Sequence, residues 1–307
     1  MLSSDKRLPD FIIIGAMKCA TTTLHEQLKQ QPMIFMTTPK EPAFFSDDYI
    51  YERGIKWYTG LFSEAPDNYL CGESSTHYTK LPGRPNTVLR LHRLLPDVKM
   101  IYVMRHPLDR LVSHYIHEWS LKRVRGSINK VVHNDRQFVD FGRYAMQLRP
   151  YFRVFTRSQI LPVFFGRLTT QPQAELERIA SFIGVSGPVR WNEDLIKNKS
   201  SSRMRLSNIR DGLLRAPGIG LTLRTLVPER AKERINRLWT MQHRPGLSDD
   251  TTAYLQRVFD EDLAELGEWL GVHLSCENFR TVTSERNLSW VESSRGTLSE
   301  ECDHHVS

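Results

Sequence analysis

The chain alternates short apolar runs with amphipathic stretches. Phe11-Ile12-Ile13-Ile14 is brief, rich in β-branched residues and uninterrupted, the pattern of a strand buried on both faces of a parallel sheet. Gly15 follows as a turn residue, and the hydroxyls of Thr21, Thr22 and Thr23 are placed to cap a helix running through Leu24 and Leu28. Met33 to Met36 reads as a second short strand, Leu70-Cys71-Gly72 as a third, Lys99 to Met104 as a fourth and Ile160 to Phe165 as a fifth. Between them, Trp57, Tyr58, Leu61 and Phe62 form one apolar helix face, and Pro107 starts a helix at the position proline tolerates best. Pro172 opens another, carrying Leu176, Ile179 and Phe182 and ending at Gly184. Leu255, Val258, Phe259, Leu263, Leu266 and Leu270 recur at helical period up to Gly271. Strands alternating with helices predict an α/β fold, a central parallel sheet flanked by helices.

Composition narrows the picture only slightly. The 307 residues suffice for one large domain, and no internal repeat or linker divides the main body, so residues 1–275 are expected as one domain and 276–307 as a polar, flexible tail. A net charge of +7 points to anionic partners without choosing among nucleotides, nucleic acid, membrane surface and acidic glycans. No apolar run reaches the roughly 20 residues of a membrane span, so a cytoplasmic protein is expected. Cys19, Cys71, Cys276 and Cys302 lack metal-ligand spacing, which favours reduced thiols and predicts no metal site.

Chemistry concentrates in three stretches. A strand turning sharply into a helix leaves backbone N–H groups converging on one spot, and the turn after Ile14 adds Lys18 there, a receptor for an anion. It is not the nucleotide triphosphatase loop, which needs Gly-Lys directly before the hydroxyls, whereas Lys18 precedes Thr21 by three positions. In Pro39-Lys40-Glu41-Pro42 two prolines predict an extended backbone that leaves both charges at a strand's carboxyl end, where ligands bind in open parallel sheets. His77, in Gly72-Glu73-Ser74-Ser75-Thr76-His77-Tyr78, can take a proton near neutral pH. Arg105 ends the fourth strand and Ser113 follows two helical turns later, a guanidinium and a hydroxyl suited to a terminal phosphate.

Gly15-x-x-Lys18-x-Ala20-Thr21-Thr22-x-Leu24 resembles the 5′-phosphosulfate loop of sulfotransferases that use 3′-phosphoadenosine 5′-phosphosulfate (PAPS), with Ala20 where that family commonly has glycine. Arg105-x-Pro107-x-x-Arg110-x-x-Ser113-x-Tyr115 resembles the family's 3′-phosphate site, and Lys40-Glu41-Pro42-x-Phe44-Phe45 the segment whose glutamate serves as base in the heparan-sulfate type and related bacterial enzymes. The resemblance spans residues 10 to 271 and implies a P-loop-like three-layer fold. It implies sulfuryl transfer from PAPS to a hydroxyl or amine, most readily on a carbohydrate, with adenosine 3′,5′-bisphosphate (PAP) as product and no metal. Lys18, Cys19, Ala20, Thr21, Thr22 and Thr23 would hold the phosphosulfate and Arg105 and Ser113 the 3′-phosphate. Glu41 would be the base, with His77 as the second candidate. Lys199, Ser200 and Arg203 would close over the donor.

Gly142-x-Tyr144-x-x-Gln147-Leu148 resembles the family's middle region, but the strand after it ends in Gly166-Arg167-Leu168 where relatives carry Glu-Asp-Leu. Arginines from Arg203 to Arg244 suggest a lid or an acceptor-facing insertion, with nucleic-acid binding the competing use but no spacing that makes it specific. The basic cluster Lys122-Arg123-Val124-Arg125 with Lys130 reads as a solvated face, with contact to an acidic acceptor the alternative. Two other classes compete with the transferase, a P-loop nucleotide kinase and a non-enzymatic polyanion binder.

Overall fold

A computed structural model of the chain describes residues 7–195 and 244–291. Five strands, β1 (Phe11–Gly15), β2 (Ile34–Met36), β3 (Leu70–Ser74), β4 (Lys99–Met104) and β5 (Ile160–Phe164), form one sheet in the order β2-β3-β1-β4-β5. Every neighbouring pair is parallel. β1 sits at the centre and is buried along its whole length, as its continuous apolar run requires. From β1 the chain crosses to the edge strand β2, returns to β3 beside β1, and then passes to β4 and β5 on the other side, so the carboxyl end of β1 is where the connections part and a crevice forms.

Helices flank this sheet. Those used below are α1 (Thr21–Lys29), α2 (Gly54–Gly60), α3 (Pro107–Ser120), α4 (Tyr144–Leu148), α5 (Phe165–Thr170), α6 (Pro172–Ile183), α7 (Asp249–Leu270) and α8 (Phe279–Glu285). Pro107 and Pro172 open α3 and α6, and α6 and α7 stop at Gly184 and Gly271, as the sequence predicts. Ser248 caps α7 by accepting from the Thr251 N–H. Tyr58 on α2 and Phe62 just beyond it are buried, Tyr58 stacking on Phe44 with ring centroids 4.5 Å apart.

One expectation is corrected here. Residues 276–291 are not a loose tail: the Cys276 N–H donates to Asp260 Oδ1 (2.6 Å), Phe279 and Leu288 are buried, α8 packs on α5, and Trp290 Nε1 donates to the Ile160 carbonyl (2.5 Å). The apolar residues that anchor this segment are too few and too widely spaced to give a periodic signal. The Gly166-Arg167-Leu168 ending also has its own partner. Arg167 Nε donates to Glu175 Oε2 (2.8 Å), and Arg178 donates to both Glu175 Oε1 (2.5 Å) and the Pro162 carbonyl of β5 (2.6 Å).

Glu175 is fully buried between those two guanidinium groups. Removing one member of a buried pair leaves an uncompensated charge, so Glu175→Ala should lower unfolding free energy by about 3 to 5 kcal/mol. Urea titration checks this, and a loss under about 1 kcal/mol, the worth of an exposed pair, would mean that the cluster is solvated after all.

Candidate active site

The turn from β1 into α1 is bonded to the strands beneath it. The Ala16 N–H donates to the Val103 carbonyl (2.8 Å) and the Cys19 N–H to the Ala16 carbonyl (3.2 Å). Gly15 is required by close approach, since a Cβ there would lie 2.1 Å from Thr79 Oγ1 and 2.9 Å from the Tyr102 ring. Lys18 (φ 71°) and Ala20 (φ 68°) take left-handed backbone angles. Ala20 is itself the residue at the helix entrance, and no side chain caps α1 there. The expected capping by Thr21 to Thr23 is therefore absent: these residues lie inside the first turn, beyond the position from which a hydroxyl can reach back. The first-turn amides of α1 stay available to an anion.

Arg105 lies at the same edge. Its Nη1 donates to the Lys18 carbonyl (3.4 Å), and its guanidinium covers the Phe165 ring at 4.5 Å. Arg105 Nε is buried with no hydrogen-bond partner among the described residues. The backbone of Arg105 is fixed by Tyr144, whose hydroxyl accepts from the Arg105 N–H (3.1 Å) and donates to the Arg105 carbonyl (2.5 Å). The same hydroxyl is 3.8 Å from Cys19 Sγ, so Tyr144 touches both the turn and the arginine. Burial pushes the Cys19 thiol up, against the nearby Arg110 and Arg105 charges, and keeps it neutral. Ser113 is buried two turns into α3. Arg110, fully buried and donating to the Phe138 carbonyl, is part of the packing.

Glu41 and His77 meet at the carboxyl end of β3. The Glu41 N–H donates to the Ser74 carbonyl (2.9 Å), the Ser75 N–H to the Ile13 carbonyl of β1 (3.0 Å), and Thr79 Oγ1 to the Ile14 carbonyl (3.0 Å). The 3-10 turn Thr76–Thr79 thus rides on the end of β1. The backbone at Glu41 is not extended: Glu41 (φ 63°) and Ala43 (φ 54°) are both left-handed. Pro42 disfavours the right-handed helical region for the residue before it, and the bond to Ser74 holds Glu41 in the strained alternative.

Lys40 Nζ lies 2.7 Å from Glu41 Oε1, Thr76 Oγ1 donates to Oε1 (3.2 Å) and Oε2 (3.0 Å), and His77 Nδ1 is 3.9 Å from Oε2. Burial raises the Glu41 carboxyl, but Lys40, His77 and Thr76 outweigh it and hold the group below its usual range. Burial, with Lys80, pulls His77 down to about 4, so the imidazole is neutral at pH 7. Glu73, two positions before Ser75, is fully buried and pushed up to about 8 by burial, which leaves it uncharged and out of an acceptor's reach.

The structure thus brings Lys18, Cys19, Ala20 and Thr21 to Thr23 beside Arg105, and Glu41 beside His77, all at one edge of the sheet. Lys199, Ser200, Arg203 and the arginine-rich stretch up to residue 243 lie outside the described residues. Three contributors have no role in the sequence reading. Thr76 holds Glu41, Tyr144 holds Arg105, and Gln147 clamps Leu81 through both its N–H (2.8 Å) and its carbonyl (3.0 Å), so α4 steadies both halves of the site. The signal available was a polar pair, Tyr144 and Gln147, on an otherwise apolar turn.

The model for the sulfotransferase domain matches residues 8–267. The chain is 31% identical over 188 residues to mouse heparan sulfate glucosamine 3-O-sulfotransferase 6, a match covering 59% of this chain and 53% of that protein. It is 28% identical over 216 residues to human bifunctional heparan sulfate N-deacetylase/N-sulfotransferase 2, covering 62% of this chain and 23% of that one. The chain thus spans about half the length of the 3-O-sulfotransferase it matches, and less of the bifunctional enzyme. Its fold is that of the sulfotransferase from Alicyclobacillus acidocaldarius, with a TM-score of 0.63 and 22% identity over 87% of this chain and 98% of that one.

Tyr144→Phe removes the group that satisfies both backbone polar atoms of Arg105. Unfolding free energy should drop by about 1 to 3 kcal/mol in a urea titration, the cost of leaving buried groups unpaired. An unchanged midpoint would show that the hydroxyl is dispensable.

Proposed function

The chain belongs to the sulfotransferase domain family, and on that premise we propose that it moves a sulfuryl group from PAPS to a hydroxyl or amine of a carbohydrate, releasing PAP. The observation that carries this reading is the contact between Arg105 and the Lys18 carbonyl, which unites the anion-binding turn and the terminal-phosphate arginine in one crevice. A nucleotide with phosphates at both ends of its ribose needs two such receptors within its own length. The unmet Arg105 Nε donor fits a phosphate oxygen, and the uncapped start of α1 fits the phosphosulfate. The kinase reading fits less well, because the lysine is displaced from the position a triphosphate loop needs. The carbohydrate acceptor is favoured by likeness to proteins named for heparan sulfate.

Sulfuryl transfer follows the logic of phosphoryl transfer, an in-line displacement with charge growing on the leaving oxygen. Lys18 and the first-turn amides supply fixed positive charge where that oxygen sits, so no proton need move to stabilise it. Arg105, with Ser113, selects the 3′-phosphate and so discriminates against ATP. Glu41, ionised because Lys40 and Thr76 hold it so, takes the acceptor's proton.

PAP should raise the melting temperature of the wild-type protein in a thermal-shift comparison and ATP should not, since a ligand bound only by the native state stabilises it. Arg105→Ala should lose most of that shift. An equal response to ATP would return the kinase reading.

In a radiosulfate transfer assay with heparan sulfate, Lys18→Ala should lower kcat about 100- to 1000-fold, the usual effect of deleting one charge-stabilising donor. Glu41→Gln should abolish transfer yet still bind PAP by calorimetry. An active glutamine variant would remove Glu41 from the base role.

A further inference from the structure

Glu41 and His77 entered as rival bases, but the fold places them in one cluster. The two carboxylate oxygens of Glu41 are not equivalent. Oε1 takes the Lys40 ammonium at 2.7 Å and the longer Thr76 contact at 3.2 Å. Among the described residues Oε2 takes the shorter Thr76 bond, at 3.0 Å, and faces His77 Nδ1 at 3.9 Å. The oxygen free of the ammonium is the more basic, and it is the one beside the imidazole. A single hydroxyl touching both oxygens also fixes the rotation of the carboxylate plane, which a lone lysine on a flexible stem cannot do.

We propose that Glu41, Thr76 and His77 form one proton-handling unit, in which Thr76 positions the carboxylate so that Oε2 receives the acceptor's proton and His77 Nδ1 passes it to solvent. This rests on the sulfuryl-transfer reading above. The acceptor O–H bond breaks as its oxygen bonds to sulfur. The bond from sulfur to the 5′-phosphate oxygen breaks with its electron pair leaving on PAP. The proton goes to Glu41 Oε2, then to His77 Nδ1 once the imidazole closes from its resting 3.9 Å to hydrogen-bond distance, and then to water, which reaches the 36% exposed imidazole. An acceptor seated on Oε2 covers the carboxylate's own path to solvent, and the imidazole supplies another.

The surrounding charges suit this use. Glu41 is faced by Lys40 and His77, and it in turn acts on Glu73, His25 and Lys80. His77 is faced by Lys80, Glu41, Arg84 and Asp47. With Glu41 held low and His77 pulled to about 4, both groups start unprotonated at pH 7 and neither traps the proton.

The test first measures PAP binding to the wild-type protein by calorimetry, then PAP release from PAPS across pH with heparan sulfate or water as acceptor. Thr76→Val should lower kcat about 10- to 100-fold, the range reached when a catalytic group is slightly misplaced, with the KM for PAPS unchanged. Losing a donor to the ionised form favours the protonated carboxyl, so the acidic limb of the pH profile should move to higher pH. Thr76→Ser should restore both the rate and the limb. His77→Gln should lower kcat, and imidazole added to the buffer should recover it. A merely structural role would move neither the limb nor the rescue. PAP binding with wild-type behaviour of Thr76→Val, or with no imidazole recovery of His77→Gln, overturns the unit alone. Failure to bind PAP overturns the transfer reading and the unit together.

Discussion

The site depends on one hydroxyl satisfying both backbone atoms of one residue. Tyr144 accepts from the Arg105 N–H and donates to the Arg105 carbonyl, just where β4 ends and Pro107 begins the next helix. At such a junction the backbone loses its sheet partners before helix partners replace them, and buried polar atoms left unpaired there would cost stability. With its main chain fixed, Arg105 can keep its guanidinium against Phe165 and the Lys18 carbonyl. The short helix that carries Tyr144 is itself held, because Asp262 of α7 accepts from the Ala145 and Met146 N–H groups, each at 2.9 Å. A carboxylate on two first-turn N–H groups that have no partner within the helix also matches the helix dipole. The closing helix, far along the chain, is therefore part of what aims the arginine.

Electrostatics separate the two carboxylates near the acceptor side. Glu41 and Glu73 lie on neighbouring segments, and each feels the other. Full burial keeps Glu73 protonated at neutral pH, whereas Glu41, partly open to solvent and beside Lys40, stays charged. Two ionised carboxylates there would repel each other and an anionic donor as well. Neutralising the inner one leaves Glu41 as the ionised member of the two, beside Lys40 and Lys80.

The sheet and the turn after β1 were legible because they are written locally. Ile12 to Ile14, Lys99 to Met104 and Ile160 to Phe164 are short apolar runs, and their brevity, β-branched or aromatic content and bounding turns identify them as strands. Lys18, Arg105 and Glu41 were legible by residue type at strand ends. What the sequence did not disclose depends on distant partners or on backbone sign. Tyr144 meets Arg105 across 39 residues, Gln147 meets Leu81 across 66 and Asp262 meets Ala145 across 117, and no local pattern encodes such pairs. The left-handed angle at Glu41 was missed because prolines on both sides read as extension. Residues 276–291 were misread because a few buried anchors in a polar stretch do not look like a helix.

Of the six left-handed non-glycine residues among the described residues, four lie where chemistry is expected and two, Met33 and Lys122, elsewhere. Lys18 and Ala20 are left-handed in the donor turn, Glu41 and Ala43 in the acceptor segment, and such angles cost roughly 1 to 3 kcal/mol each for side chains with a Cβ. Here the turn is tied by Ala16 to Val103 and by Lys18 to Arg105, and the acceptor segment by Glu41 to Ser74 and by Ala43 to Ser75 Oγ at 3.0 Å. Lys18, Glu41 and Ala43 therefore each carry a tertiary bond that a relaxed backbone would break. The unfavourable angles are met once, on folding, so a ligand entering this crevice finds the amides, the guanidinium and the carboxylate already in place and need not order them itself.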